Sequence, residues 1–560
     1  MSASTTPQAA ESRLPQAAES RRSWHLILSA GTNWLTFVAQ LTATFFLWPL
    51  VIRALGDARY GVWSLAESIL AYCTLLDLGI AACVVRDTAR FRAVGESDTI
   101  NRTCSTSLAI FCAIGAVVAV VGLAVAPWLA RALAQPDAAG LPLETPTRAW
   151  WFVVVLVAAL ASSLPLSIFA SVLDGLERFI AKSVTRLVLL VARIAATVMV
   201  LHCGAGLLEL ALLHLAFNVA ENLALAVLSF RALPTLRLSP ALVDAATFRR
   251  VRGYSLDAFL LLIAGRLAYQ TDSFVIGANL PLEAITYFAI AARLSEFAKT
   301  LLRTITSTLT PGISAMEARG EVAGIRDLYT QAARWVLYLT VPVQLGLLVY
   351  GGDFLSLWLR STDYARASGP TLVVLAAVLG VATVQSVAAR VLYGIGRIRL
   401  FARVSLIEAI VNLGLSLLLV RWLGIVGVAL GTALPAVVGG LFAIVYACRQ
   451  IDLPVRTFAS RVVRGPACAG GLLAGVWLIL RQQVTPAGWS SLLACLSVGV
   501  AVYAGLVAWQ NPALVGTVGR VVSRAVGQMV SRVGGRRWLP RPTPARSCPQ
   551  AAGSGLARSV

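Results

Sequence analysis

Fourteen predominantly apolar stretches follow one another along the chain, separated by short polar connections. They fall at about 26–52, 60–83, 104–127, 149–173, 183–203, 207–230, 254–279, 284–311, 335–352, 369–392, 403–421, 423–447, 465–481 and 488–509. A bilayer core about 30 Å thick needs about 20 mostly apolar residues per helix. The pattern therefore predicts an all-α polytopic membrane protein of about 14 transmembrane helices. Two six-helix lobes are expected at 24–230 and 254–447, joined by an inter-lobe linker at 231–253 and followed by two additional membrane helices within 464–509. Residues 1–23 are polar and read as a disordered arm. Residues 510–560 form a basic tail in which Val515, Val518, Val522 and Val526 face away from Arg520 and Arg524, the spacing of an amphipathic helix lying on a membrane surface.

The cations orient this array. Of 45 arginines and 2 lysines, 34 lie on the termini and the even-numbered connections, 8 on the odd-numbered connections and 5 within spans. The excess of Lys and Arg on cytoplasmic loops then places both termini in the cytoplasm. The same distribution disposes of nucleic acid as a partner: the net charge of +21 is spread over loops that meet anionic lipid. With 58% hydrophobic and 13% charged residues, the composition excludes an ordinary soluble protein. The preference for arginine and the abundance of alanine point to a bacterial inner membrane.

The chain repeats weakly. VLDGLERF at Val172–Phe179 returns as VLYGIGRI at Val391–Ile398, each closing an even-numbered span. GDARYGVW at Gly56–Trp63 has a counterpart in Leu280–Ile290, centred on Tyr287, and the aromatic end at Trp128 returns at Trp358. The offsets are close to one another, and six is even, so the two lobes are expected to be parallel repeats about an axis along the membrane normal.

GDARYGVWSL, LLDLG at Leu75–Gly79 and RDTARF at Arg86–Phe91, with Tyr287–Leu294, Leu309–Pro311 and GDFLSLWL at Gly352–Leu359, resemble the O-antigen-type polysaccharide-biosynthesis flippases. These belong to the superfamily that also holds the multidrug and toxic compound extrusion transporters and the lipid II flippase. The resemblance spans about residues 25–450 and rests on loose, mostly structural motifs. It implies a cavity between two lobes that opens alternately to either side. Its cargo would be an oligosaccharide on polyprenyl pyrophosphate, bound for cell-surface polysaccharide such as lipopolysaccharide or exopolysaccharide. Pathway partners would be a polysaccharide polymerase or glycosyltransferases, alongside the membrane lipids. The alternative is a multidrug-type antiporter for small molecules or cations.

Charges inside a membrane are costly and mark function. The seventh span carries Arg266, Tyr269, Gln270 and Ser273 on one helical face, with Asp272 beside them. The eighth carries Arg293, Glu296, Lys299 and Arg303 within an arc of roughly 120°. Arg266, Tyr269, Gln270, Arg293, Lys299 and Arg303 are thus the candidate substrate-binding residues, since arginine offers a planar fork of donors to phosphate oxygens. The bland reading keeps these charges paired internally, Arg293 with Glu296 and Glu296 with Lys299. Asp77 and Asp272 are the candidate ion-coupling acids. Arg193, Glu221 and Glu408 read as packing partners, and Asn33, Gln40 and Gln344 as bridges between helices.

Neither lysine follows a glycine, so there is no phosphate-binding P-loop. The longest loops are about 20 residues, too short for a catalytic domain, and the nine cysteines and three histidines make no metal-ligand cluster. No cofactor, no metal and no enzymatic activity are expected.

Overall fold

The structure is a computed structural model that describes residues 36, 38–133, 144–251, 271–306 and 309–512. The expectations for the N-terminal arm, for most of the seventh span and for the amphipathic tail lie outside these residues. Every regular element among the described residues is a helix. Residues up to Tyr503 form one compact unit, described here; the second begins at Ala504, within the last helix.

The first half runs α1 (Val38–Leu55), α2 (Asp57–Cys73), α3 (Ile80–Ala93), α4 (Ser97–Leu133), α5 (Pro146–Gly175), α6 (Phe179–His202) and α7 (Leu207–Ala232). The second runs α8 (Asp272–Asn279), α9 (Leu282–Thr306), α10 (Leu309–Ala318), α11 (Val322–Leu359), α12 (Thr362–Ala377), α13 (Leu379–Gly394) and α14 (Ile398–Gln450). Then come α15 (Val455–Gln483) and α16 (Trp489–Gln510). Nine of the described helices are long and apolar enough to cross a membrane alone, and two bent pairs raise that to eleven. The nine count α14 once, although it holds two spans. Gly424, at φ 57° and ψ −136°, turns the chain back. Ser416 then donates to the carbonyl of Val428, and a Cβ on Gly427 or Gly431 would strike Leu419 or Ser416 of the opposing arm. The predicted eleventh and twelfth spans are the arms of this hairpin. α9, the eighth span, is not among the nine because its charged face makes it more polar.

The bend between α2 and α3 is 47° and falls on the LLDLG motif. Leu78 and Gly79 take positive φ there, and Asp77 Oδ1 accepts the Ala81 N–H at 3.0 Å. A second bend, of 41°, separates α12 from α13.

The two halves reuse the same turns. α4 and α11, of 37 and 38 residues, each follow a glycine at positive φ, Gly95 and Gly320. α6 and the first arm of α14 each follow a tight turn, at Glu177 and Gly396. The repeated octapeptide has a packing reason. A Cβ on Gly175 would meet Thr88 Cβ at 2.7 Å, and one on Gly394 would meet Ile313 Cγ2 at 2.5 Å. In both halves a glycine lets the helix ending there press onto a neighbour, α5 onto α3 and α13 onto α10. α15 and α16 pack on α11, where Trp477 donates to the Cys495 carbonyl (3.1 Å) and Tyr503 to that of Tyr338 (2.8 Å).

Candidate functional site

The halves meet along one face of α2. Asp57, Gly61, Ser64, Ser68 and Tyr72 recur at helical spacing, so small and polar groups line one stripe. At the first end of this stripe the Asp57 carboxylate accepts the Tyr287 hydroxyl at 2.9 Å and also that of Tyr364, while Thr286 donates to the Asp57 carbonyl at 2.6 Å. Arg53 reaches the carbonyl of Trp358 at 2.9 Å. One turn along, Gly61 lies so close to α9 that a Cβ would sit 2.1 Å from the Leu282 carbonyl oxygen. Deeper still, Ser68 donates to Ser273 (3.1 Å) and Tyr72 hydrogen-bonds Thr271 (2.5 Å). The Asp57 end is therefore shut. Phe45, Trp48, Phe297, Phe354 and Trp358 fill the space beside it with ring contacts of 4.9–6.5 Å.

A cavity of ≈ 270 Å³ opens beside this seam. Its walls come from α1 (Gln40, Thr44, Trp48), α2 (Tyr60, Trp63, Glu67), α6 (Arg193, Thr197) and α7 (Leu210, His214), with Arg293 reaching in from α9. Arg293 makes an ion pair with Glu67 and lies over the Trp48 ring, 5.0 Å from its centroid. Glu67 is held a second time by the Trp63 indole N–H at 3.1 Å. Arg193 donates to His214 Nδ1 at 3.0 Å. A guanidinium can only donate, so Nδ1 accepts and a neutral ring carries its proton on Nε2. At 1.5 Å per residue, Glu67 and Arg293 lie about 15 Å along α2 and α9 from the shut end, near mid-membrane.

The other charges of α9 form a separate group. Glu296 is shared by Arg303 (3.3 Å) and Lys299 (3.8 Å). Asp272, at the start of α8, accepts from Thr432 at 3.1 Å, and Ser416 of the same hairpin donates to Asn412 at 3.1 Å. Of the residues singled out in the sequence, Arg293 lines the cavity. Lys299, Arg303 and Asp272 lie in this second group, and Asp77 caps α3 at the bend. Arg266, Tyr269 and Gln270 lie outside the described residues. The expected Arg293–Glu296 pairing is replaced by Arg293–Glu67, because α9 packs on α2 and brings a carboxylate from the other half within reach. Glu67 carried no signal of its own, being one of two acids, with Asp77, in an otherwise apolar span. Arg193, read as a packing partner, does join α6 to His214 of α7 and also faces the cavity, as does Gln40. Gln344 does bridge helices, donating to Ala377 at 2.7 Å, and Glu221 pairs with Arg186 at 2.9 Å.

A family model described as "Lipid II flippase MurJ" matches residues 95–499. Two proteins of Haloferax volcanii are similar over part of the chain. "Probable low-salt glycan biosynthesis flippase Agl15" is 25% identical over 33% of this chain and 39% of its own length. "Probable flippase AglR" is 23% identical over 36% of this chain and 44% of its own length. The match thus spans less than half of either relative. Among solved structures, lipid II flippase MurJ in an inward closed conformation superposes with a TM-score of 0.67 at 14% identity, covering 87% of this chain and all of that one. An inward-facing multidrug resistance transporter of the same superfamily gives 0.60 at 15%, covering 75% of this chain and 94% of that one. At such identity these structures speak for the fold alone.

Proposed function

Since this chain belongs to the MurJ family of lipid flippases, multi-pass membrane proteins, we propose that it carries a lipid-linked oligosaccharide across the membrane by alternating access. The observation that carries this reading is the arginine pair, Arg193 and Arg293, facing a mid-membrane cavity walled by Trp48, Trp63 and Tyr60. Guanidinium groups suit the pyrophosphate of a polyprenyl carrier, and aromatic faces suit sugar rings. Lys299 and Arg303 extend the cationic face of α9 beyond the cavity. Asp272, beside the Thr432 hydroxyl, is the candidate ion-coupling acid. Two cations facing one acid suit an anionic cargo better than the organic cations of a multidrug antiporter.

The cavity is small. Pockets for drug-sized ligands run from about 300 to 1,000 Å³, so ≈ 270 Å³ accommodates one phosphate or sugar group and not a whole oligosaccharide. With the Asp57 end shut, the cargo would enter from the opposite end once the halves part further. The cation distribution makes the Asp57 end the outer one, with both termini in the cytoplasm of a bacterial cell. Deleting the gene should leave a lipid-linked glycan accumulating on the cytoplasmic leaflet. A deletion strain with normal surface glycan and no such intermediate would refute the assignment.

A further inference from the structure

The Arg293–Glu67 ion pair joins the two halves, and it does so inside the wall of the cavity. Both side chains are about one-third exposed, so they face the cavity and can exchange partners. Arg193 lies across that cavity and makes no ion pair among the described residues; its neighbour is the neutral His214 ring. An anion entering here meets two guanidinium groups, one of them already neutralised by Glu67.

We propose that Glu67 is an exchangeable lock: an anionic head group takes its place on Arg293, and the released carboxylate picks up a proton from the surrounding medium. The inference rests on the reading that the cargo is anionic. It adds a residue and a coupling step which that reading does not contain. Without the proton, the site would hold two cations against Glu67 and at least one phosphate charge in a poorly hydrated space, an arrangement that burial penalises. With it, Glu67 is neutral, still accepts the Trp63 N–H, and no longer ties α2 to α9. The charged and titratable groups around Glu67 are Arg293 from α9, Arg193 from α6, His214 from α7 and Tyr60 from α2, with the Trp48 and Trp63 rings between them. Of these, Glu67 is the one whose partner the incoming anion removes. Binding, proton uptake and loosening of the seam then become one event, in which each takes up or releases the other by linkage.

The test uses the full-length protein in nanodiscs of zwitterionic lipid, with farnesyl pyrophosphate as the probe and binding measured from pH 5 to pH 8. The pyrophosphate titrates as well, so the quantity read is the affinity of Glu67→Gln relative to wild type, in which the ligand's own titration cancels. A one-proton exchange makes that ratio grow with pH, by up to about tenfold per pH unit. Glu67→Gln should bind at least tenfold more tightly than wild type at pH 8, and its advantage should shrink as the pH falls. Equal affinities across the range, or weaker binding by the variant, would overturn the lock while leaving the flippase reading intact. Failure of the wild-type protein to bind the probe at any pH would overturn both. If Glu67→Gln does not fold, Glu67→Gln/Arg293→Gln removes both charges together. It should lose both probe binding and its pH dependence, and wild-type binding by it would refute the proposal.

Discussion

Gly61→Ala isolates the closing of the seam from the folding of the protein. The added Cβ would lie 2.1 Å from the Leu282 carbonyl oxygen, 3.0 Å from its carbon and 3.3 Å from Thr286 Oγ1, where ordinary contact begins near 3.4 Å. The obstacle is backbone, so no rotamer relieves it, and α2 and α9 must part by about 1 Å. Overpacking of this kind costs about 1–3 kcal/mol, which corresponds to a shift of about 5- to 150-fold in a two-state equilibrium. The cost applies only where the halves touch. Within α2 itself alanine is the better helix former by about 1 kcal/mol, so the amount of folded protein should not fall. Spin labels at Ala54→Cys and Asp363→Cys, both exposed in the structure, would report the gap at the Asp57 end in a cysteine-free background. Wild type should give a short, narrow distance distribution. Gly61→Ala should add a longer component and slow transport, because the state shut at Asp57 becomes harder to reach. An unchanged distribution together with wild-type transport would mean that this contact does not govern closure.

Four further outcomes are expected. Gly394→Ala, whose Cβ would press on Ile313, should lower the thermal unfolding temperature by the equivalent of about 1–3 kcal/mol, read by a fluorescence thermal shift, without altering which side is shut. In the linker, hydrogen bonds from the Thr247 hydroxyl and N–H, and then from the Ala246 N–H, hold the Asp244 carboxyl down at about pH 2, below its usual 3.8. A depressed pKa stabilises above the unfolded value and is lost as pH falls through the folded one, so the helix at 245–251 should stay protected from proteolysis at pH 5–7 and open between about pH 4 and 2. Asp244→Asn should flatten that profile. Reporter fusions after Arg90, Arg250 and Arg456 should read cytoplasm and those near Gly140 and Asp363 the outside, and a consistent inversion would overturn the orientation. Arg266→Ala should abolish glycan export at normal protein level, with Arg266→Lys retaining part of it; a fully active Arg266→Ala would remove that residue from the path.

Hydropathy made the helices legible because a bilayer allows few other ways to satisfy a buried backbone. It predicted spans at 149–173 and 207–230, and α5 and α7 occupy Pro146–Gly175 and Leu207–Ala232. The internal repeat was visible where it was forced by close packing. Gly175 and Gly394 hold the same place in the two octapeptides, and neither place has room for a Cβ.

The cavity was harder to foresee, and Glu67 shows why. A search for charges along one helix finds Arg293, Glu296, Lys299 and Arg303, and pairs them locally because i, i+3 and i, i+4 are the contacts that sequence spacing can express. Glu296 with Lys299 and Arg303 obeys that logic. Arg293 does not, for its partner lies in the other half of the chain, and the pairing exists only because the stripe from Asp57 to Tyr72 lets α2 and α9 approach. Arg193 and His214 are likewise single polar residues in apolar spans, and they become a site when α6 and α7 close the wall. The signal that could have found them is shared depth. Glu67 and Arg293 lie at nearly equal distances from the ends of their helices at Asp57 and Leu282, and those ends are themselves matched by the GDARYGVW repeat. In a membrane protein built of two like halves, charges at equal depth on helices that pair across the seam are the ones to read together, since a bilayer leaves an ionised group little choice but to find its partner sideways.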